Sequence, residues 1–282
     1  VPDGGGDASG QGDDAPDASD AARTDVSGVR AAVASVVAPY GSAVAVAYAP
    51  VDASVPGFDI NGGTQMRSAS MIKTLVLAAL LQGSEDGSVS LDESYIVRRQ
   101  DLVGGTGTIQ SRGAGTSLTF DRLALLMISQ SDNVATNVII DRLGMDAING
   151  EATSLGLTQT VLRRRMMDTQ AQAAGRENYT CANDQATLLV AAARGELVSQ
   201  GASSRAIGYL SAQEDVRGIP DGVPAGTMVA HKTGTLPGVR HDGGIVYGEH
   251  PYVLVVLTEG LGGDEADALI AKVSQTVWDQ QG

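Results

Sequence analysis

Strand-like segments stand near the two ends of this chain, and the long stretch between them carries helical periodicity. Residues 42–48 alternate and are rich in Val and Ala, and 58–61 supply a hairpin partner. Strand patterns return at 227–233, 244–247 and 252–258. The last two are separated only by Gly248-Glu249-His250-Pro251, a link too short for a crossover, so they pair antiparallel. A helix over 26–37 precedes the first strand, with Val26, Val29, Val33 and Val37 on one face, and a helix over 264–280 closes the chain. Between the strand groups lie helical patterns at 71–81, 119–129, 134–143, 146–155, 182–193 and 203–213. The first is apolar nearly all round, which marks a buried helix; Thr119 or Ser117 caps the second. A sheet built from both ends must hold the middle as an insertion. The expected fold is therefore α/β in the α+β sense: an antiparallel sheet flanked by N- and C-terminal helices, with an inserted all-helical lobe.

A hydrophobic fraction of 43% supplies a core for one domain of about 250 residues. Aromatics make up only 4%, so that core is aliphatic. The net charge of -14 excludes nucleic acid as a partner, because phosphates need a basic surface. Cys181 is the single cysteine, so no intramolecular disulfide forms; it reads as a small buried residue at a helix start. No apolar run approaches the roughly 20 residues that span a bilayer. Residues 1–25 hold seven aspartates and one arginine among Gly, Ala, Ser and Gln, and are expected to be a disordered acidic linker ahead of a folded domain over 26–282. Such a spacer suits an exported protein, periplasmic, extracellular or tethered at the cell surface through residues 1–25.

Only three of the nineteen lysines and arginines are lysine, and two of these close or open short motifs: Ser70-Met71-Ile72-Lys73 and Lys232-Thr233-Gly234-Thr235. Ser131-Asp132-Asn133 lies between them. Lys272 falls on an amphipathic stretch and reads as a surface residue. A lysine can lose its proton where an arginine cannot. S-x-x-K alone is expected by chance about once in a chain this long, and S-D-N and K-T-G roughly once in twenty chains each. Together and in this order they are a chance event of order one in a thousand, so the conjunction carries the information.

The chemistry of the set is coherent. Ser70 stands at the start of a buried helix, where its N–H and the positive helix end stabilise developing negative charge. Lys73 follows one turn later on the same face. Desolvation and a second cation, Lys232, would depress its pKa and let it take the Ser70 proton. Ser131 and Asn133 offer a hydroxyl and an amide. Thr233 and Gly234 suit a strand edge that an extended substrate approaches, and the Thr235 N–H can complete an oxyanion hole with that of Ser70. Competing sites are poorly supported. The chain has no G-x-S-x-G, H-E-x-x-H or Walker loop. Its three histidines are His231, His241 and His250; the neighbours His241 and Asp242 would point to opposite faces of a strand. No metal site and no cofactor are expected. Gly104-Gly105-Thr106-Gly107 reads as a loop, since no helical pattern follows directly.

The trio of motifs is the signature of class A β-lactamases and penicillin-binding proteins, and from residue 26 onward the chain resembles a class A β-lactamase in motif order, spacing and element order. The resemblance implies a β-lactamase/transpeptidase-like fold and a serine hydrolase that opens β-lactams through an acyl-enzyme. It implies Ser70 as nucleophile, Lys73 as its activating base, and Ser131 as the proton shuttle to the leaving nitrogen. Lys232, Thr233 and Thr235 match the groups that hold the substrate carboxylate and carbonyl. Arg240, after Gly238-Val239, matches a carboxylate-assisting arginine, with an intervening turn one residue shorter.

The departure lies in the Ω-loop, where the family pattern is R-x-E-x-x-L-N and its Glu activates the deacylating water. Here the segment reads Arg164-Arg165-Met166-Met167-Asp168-Thr169-Gln170. With Arg164 in the Arg register, Met166 takes the Glu position and Gln170 falls where Asn is expected. Three consecutive arginines leave the register open by one residue either way, and neither shift brings in a Glu. Asp168 is the nearest carboxylate, a substitute base or a loop ion pair with one of Arg163 to Arg165. Methionine has no basic group, so acylation is expected and rapid deacylation is not. Two further readings stay open: a D-alanyl-D-alanine peptidase or transpeptidase acting on peptidoglycan stem peptides, and a penicillin-binding sensor that acylates once. The expected partner is a small-molecule β-lactam or a stem peptide, bound by a monomer.

Overall fold

The computed structural model describes residues 26–281; the expected acidic linker over 1–25 lies outside the described residues. Helix α1 (Val26–Val37) leads into strands β1 (Val44–Pro50) and β2 (Phe58–Ile60). The short β3 (Met66–Arg67) and a 3₁₀ turn over Ala69–Met71 then deliver the chain to α2 (Ile72–Glu85). The inserted lobe continues through β4 (Ser94–Ile96), α3 (Ile109–Arg112), β5 (Ser117–Thr119), α4 (Phe120–Ser129), α5 (Asn133–Leu143) and α6 (Met145–Ser154). It ends with α7 (Thr169–Ala173), β6 (Tyr179–Thr180), α8 (Ala182–Arg194) and α9 (Gln200–Leu210). The chain returns through β7 (Val229–Leu236), β8 (Val239–Val246) and β9 (Tyr252–Glu259) to α10 (Gly263–Asp279).

The main sheet has the order β2-β1-β9-β8-β7, antiparallel at every pairing, so strands from both ends of the chain meet at β1 and β9. Alternation along β9 builds two cores. Tyr252, Leu254 and Val256 pack with Val29 and Val33 of α1 and Ile270 and Val273 of α10. Val253, Val255 and Leu257 face the inserted lobe and join the core around α2. Helix α2 is buried from Ile72 to Leu81 without interruption, which its nearly uniform apolar sequence requires. Thr119 caps α4 by accepting the Arg122 N–H, and the Cys181 side chain, buried, accepts the Asp184 N–H at the start of α8. Among the described residues no helix is long and apolar enough to cross a membrane.

Several boundaries differ from the sequence pattern, three of them near the site or the elements that frame it. The helix expected over 203–213 starts one turn earlier, because Ser199 caps it by accepting the Ala202 N–H at 3.1 Å. The strand expected over 244–247 runs over the whole of β8, because its polar residues Arg240, His241 and Asp242 are buried in hydrogen bonds instead of solvated. The strand expected over 227–233 is shifted to Val229–Leu236 and carries Lys232 to Thr235 at the sheet edge.

Candidate functional site

Ser70 sits in the 3₁₀ turn that opens α2, immediately after Ala69, which holds φ +46°. A non-glycine residue in this left-handed region carries a conformational cost that surrounding packing must hold in place. Part of that packing is β7: a Cβ at Gly234 would lie 3.1 Å from Met71 Cγ and 3.2 Å from the Ser68 carbonyl. Glycine at 234 thus lets the strand lie against the turn that presents Ser70.

Lys73, the second residue of α2 and one turn after Ser70, is fully buried. Its Nζ donates to the Ser131 carbonyl at 2.6 Å, to Ser131 Oγ at 2.9 Å and to Asn133 Oδ1 at 3.0 Å. Lys232, fully buried on β7, donates to the same Ser131 Oγ at 3.2 Å and to the Thr233 carbonyl at 2.7 Å. Two lysine side chains therefore share one hydroxyl. Burial pushes the Lys73 pKa well below the usual lysine value, and the Lys232 charge pushes it further. Burial likewise lowers Lys232, to about 7, against the opposing pull of Asp242 and Asp215.

The Ser131 corner is built by its neighbour. Asp132 caps α5 by accepting the Ala135 N–H and also accepts the Ile109 N–H, each at 2.9 Å. Ser131 itself holds φ +54°. Opposite stands the loop of Gly104 to Gly107. Gly105, at φ +87°, passes so close that a Cβ there would meet Asn133 Nδ2 at 2.5 Å. A short helix, α3, starts two residues after the loop; four residues were too few to show as periodicity.

These elements enclose a cleft of about 690 Å³, lined by Ser70, Ser131, Asn133, Thr233 and Thr235, by Gly105 to Thr108, and by Met166, Met167 and Gln172. Thr235 is exposed on the edge strand, and the buried Arg240 of β8, its register partner, donates to Thr235 Oγ1 at 2.8 Å. Of the three consecutive arginines, Arg164 alone is buried, paired with the buried Glu177 at 2.7 Å. Arg165 pairs with Asp141 at 3.1 Å. Met166 is nine-tenths buried, and Asn137 holds its backbone. Asp168 caps α7 by accepting the Ala171 N–H at 2.8 Å, and neither it nor the exposed Gln170 lines the cleft; Gln172 does. Asp242 finds a histidine partner, but across the strands: its Oδ1 lies 2.9 Å from His231 Nδ1, both groups buried, while His241 Nε2 lies 2.9 Å from the Arg67 carbonyl.

The cleft thus brings together a serine at a helix start, two buried lysines on one serine hydroxyl and a K-T-G segment on an edge strand. A model of the β-lactamase enzyme family matches residues 28–281, and the chain belongs to that family. The β-lactamase CARB-3 of Pseudomonas aeruginosa is 24% identical over 234 residues, which span 79% of this chain and 80% of the relative. Among solved structures, a β-lactamase from Sphaerobacter thermophilus superimposes with a TM-score of 0.83 at 31% identity, over 92% of this chain and 98% of the other. PBP-A superimposes with a TM-score of 0.81 at 26% identity, over 91% and 96%; a mutant of PBP-A with one Leu-to-Glu replacement is known as an acyl-enzyme complex with penicillin G. The class A resemblance and the β-lactamase/transpeptidase-like fold both hold.

Proposed function

We propose that this chain opens β-lactams through a covalent acyl-enzyme on Ser70 and releases the product slowly. The shared contact of Lys73 and Lys232 with Ser131 Oγ carries this reading. Lys73, its ammonium form disfavoured by burial, takes the Ser70 proton as Oγ attacks the lactam carbonyl. The Ser70 and Thr235 N–H groups receive the oxyanion. As the C–N bond breaks, the proton held on Lys73 passes through the Ser131 hydroxyl to the leaving nitrogen. Lys232, Thr233 and Thr235 receive the substrate carboxylate, with Arg240 behind them, and Asn133 contributes its amide to the same cleft.

Hydrolysis needs a second proton acceptor, for water. With the buried, ion-paired Arg164 as the register marker, Met166 occupies the position of the family's Glu and presents no base. Asp168 is engaged as a helix cap and Glu177 as the Arg164 partner. Acylation then outruns deacylation. The same observation favours a second reading, a D-alanyl-D-alanine peptidase or penicillin-binding protein acting on peptidoglycan stem peptides, for which the likeness to PBP-A is the comparison of interest. Either substrate lies outside the cytoplasm, which fits an exported monomer.

Mass spectrometry after penicillin G treatment tests the reading. One adduct on the Ser70 peptide, absent from Ser70→Ala, is expected, as is a one-equivalent burst with a chromogenic β-lactam before a slow steady state. Labelling of Ser70→Ala would overturn the serine mechanism. Fast steady turnover would overturn the slow release, and release of D-Ala from a stem-peptide mimic would select the second reading.

A further inference from the structure

Beside Thr235 four charged side chains close a ring. Arg240, on β8, donates through Nε to Asp267 of α10 and through NH1 to Asp215 Oδ2 at 2.9 Å. Arg217 grips Asp215 from the other side, Nε to Oδ1 at 2.9 Å and NH2 to Oδ2 at 3.1 Å, and its NH1 lies 3.5 Å from Asp267 Oδ2. Two guanidinium groups thus alternate with two carboxylates. The ring reaches the cleft at Asp215 and Arg217, both of which line it, and at Thr235.

The contact with Thr235 has a directional consequence. A guanidinium offers only donors. Arg240 NH1 gives one hydrogen to Asp215 and the other to Thr235 Oγ1 at 2.8 Å. The Thr235 oxygen is therefore occupied as an acceptor, and its own proton is free for an acceptor in the cleft. A cationic donor behind a hydroxyl also polarises it. Asp267 meets Arg240 at Nε, away from this nitrogen, so Asp215 is the group that aims NH1. Burial pushes the Asp215 carboxyl up, but the hydrogen bonds from Arg217 and Arg240 outweigh it and hold the group ionised well below the usual carboxylate range. An aspartate lining an anion-binding cleft would repel its ligand. Arg217, bidentate on that aspartate, cancels the charge.

We infer that Asp215 is a positioning residue for anion recognition: it holds Arg240 against Thr235 and so makes the Thr235 hydroxyl a donor to a carboxylate or sulfonate oxygen of the substrate, while Arg217 masks its charge. This rests on the acyl-serine reading for the cleft in which that substrate sits. Equilibrium binding in a Ser70→Ala background, where no acylation competes, compares penicillin G with its uncharged methyl ester. Asp215→Asn should weaken the acid about tenfold, the worth of one charged hydrogen bond, and the ester less than twofold. Combined with Thr235→Val it should add nothing further, because Asp215 acts through Thr235. Arg217→Gln, a change at an exposed side chain, should also weaken the acid selectively by unmasking Asp215, and serves if Asp215→Asn does not fold. Equal losses for acid and ester, no loss, or full additivity with Thr235→Val overturns the inference. Failure of the acyl-serine reading shows separately, as the absence of a Ser70 adduct on the wild-type chain.

Discussion

Asn137 holds the backbone of Met166 on both sides: its Oδ1 accepts the Met166 N–H at 2.8 Å, and its Nδ2 donates to the Met166 carbonyl at 3.0 Å. The clamp comes from buried α5, so it fixes where the loop presents residue 166, which lines the cleft. A carboxylate placed there would inherit that position. Met166→Glu is expected to shorten the acyl-enzyme lifetime, by about 10²–10⁴-fold if it supplies full general-base assistance. Time-resolved mass spectrometry of the penicillin G adduct measures this. Adding Asn137→Leu should erase most of the gain, since the loop then loses its anchor. An unchanged lifetime in Met166→Glu would show that residue 166 does not face the hydrolytic water.

Asp168 provides a contrasting test in the same loop. Its carboxylate caps α7, a task that asparagine performs about as well. Asp168→Asn should therefore leave both melting temperature and acyl-enzyme lifetime unchanged, whereas Asp168→Ala should cost about 1 kcal/mol of stability. A lengthened lifetime in Asp168→Asn would make Asp168 the base after all and would move the loop register.

Lys73→Arg separates charge from basicity. The buried pocket of Lys73 supplies three acceptors within 3.0 Å, so a cation can be held there, but a guanidinium cannot take the Ser70 proton. Acylation should fall by at least about 10²-fold, read as the rate of adduct formation in a protein whose circular dichroism is native. Acylation at the wild-type rate would remove Lys73 from the role of base.

The motifs were legible because each needs a particular residue type at a particular spacing, and local structure delivers it: Ser70 and Lys73 one turn apart, Asp132 capping the helix that carries Asn133. The sheet order was legible from where strand patterns fall and from the short link before β9. What stayed hidden depends on pairing between distant segments. Asp242 adjoins His241 in sequence, but its histidine partner, His231, lies across the β7–β8 hairpin. The Arg240 ring draws on β8, α10 and the loop after α9, and no spacing rule relates these. The sequence pattern understates β8, because buried polar side chains make a core strand look like a solvated one. Gln172 rather than Gln170 lines the cleft because the chain turns into α7 after Asp168, and five residues of helix leave no periodic trace.

The neck of the loop carries a stability prediction. Arg164 and Glu177 are both buried and joined at 2.7 Å, and Glu177 also accepts the Asn178 N–H at 2.8 Å and a Gln172 amide hydrogen at 3.1 Å. Glu177→Gln keeps the shape but leaves a buried guanidinium without its counter-charge. The expected loss is about 3–5 kcal/mol, read from denaturant unfolding. A loss below about 1 kcal/mol would mean that the loop opens to water and is not held by this pair.

The two lysines predict how acylation depends on pH. In the free protein Lys232 titrates at about 7, lowered chiefly by burial, so it is charged below that pH and neutral above it. Its role in receiving a substrate carboxylate requires the charge. Lys73 must instead be neutral to act as base, and burial with the neighbouring Lys232 charge depresses its pKa well below the usual lysine value. The acylation efficiency kcat/KM, which reports the free protein, should therefore rise on the acid side as Lys73 loses its proton and fall as pH increases through about 7, where Lys232 loses its own. A bound carboxylate favours the ammonium, so the alkaline fall should weaken at saturating substrate. Lys232→Arg keeps the charge at every working pH and should remove the alkaline limb while leaving the acid limb in place. An alkaline limb that persists unchanged in Lys232→Arg would assign it to another group and detach Lys232 from carboxylate recognition.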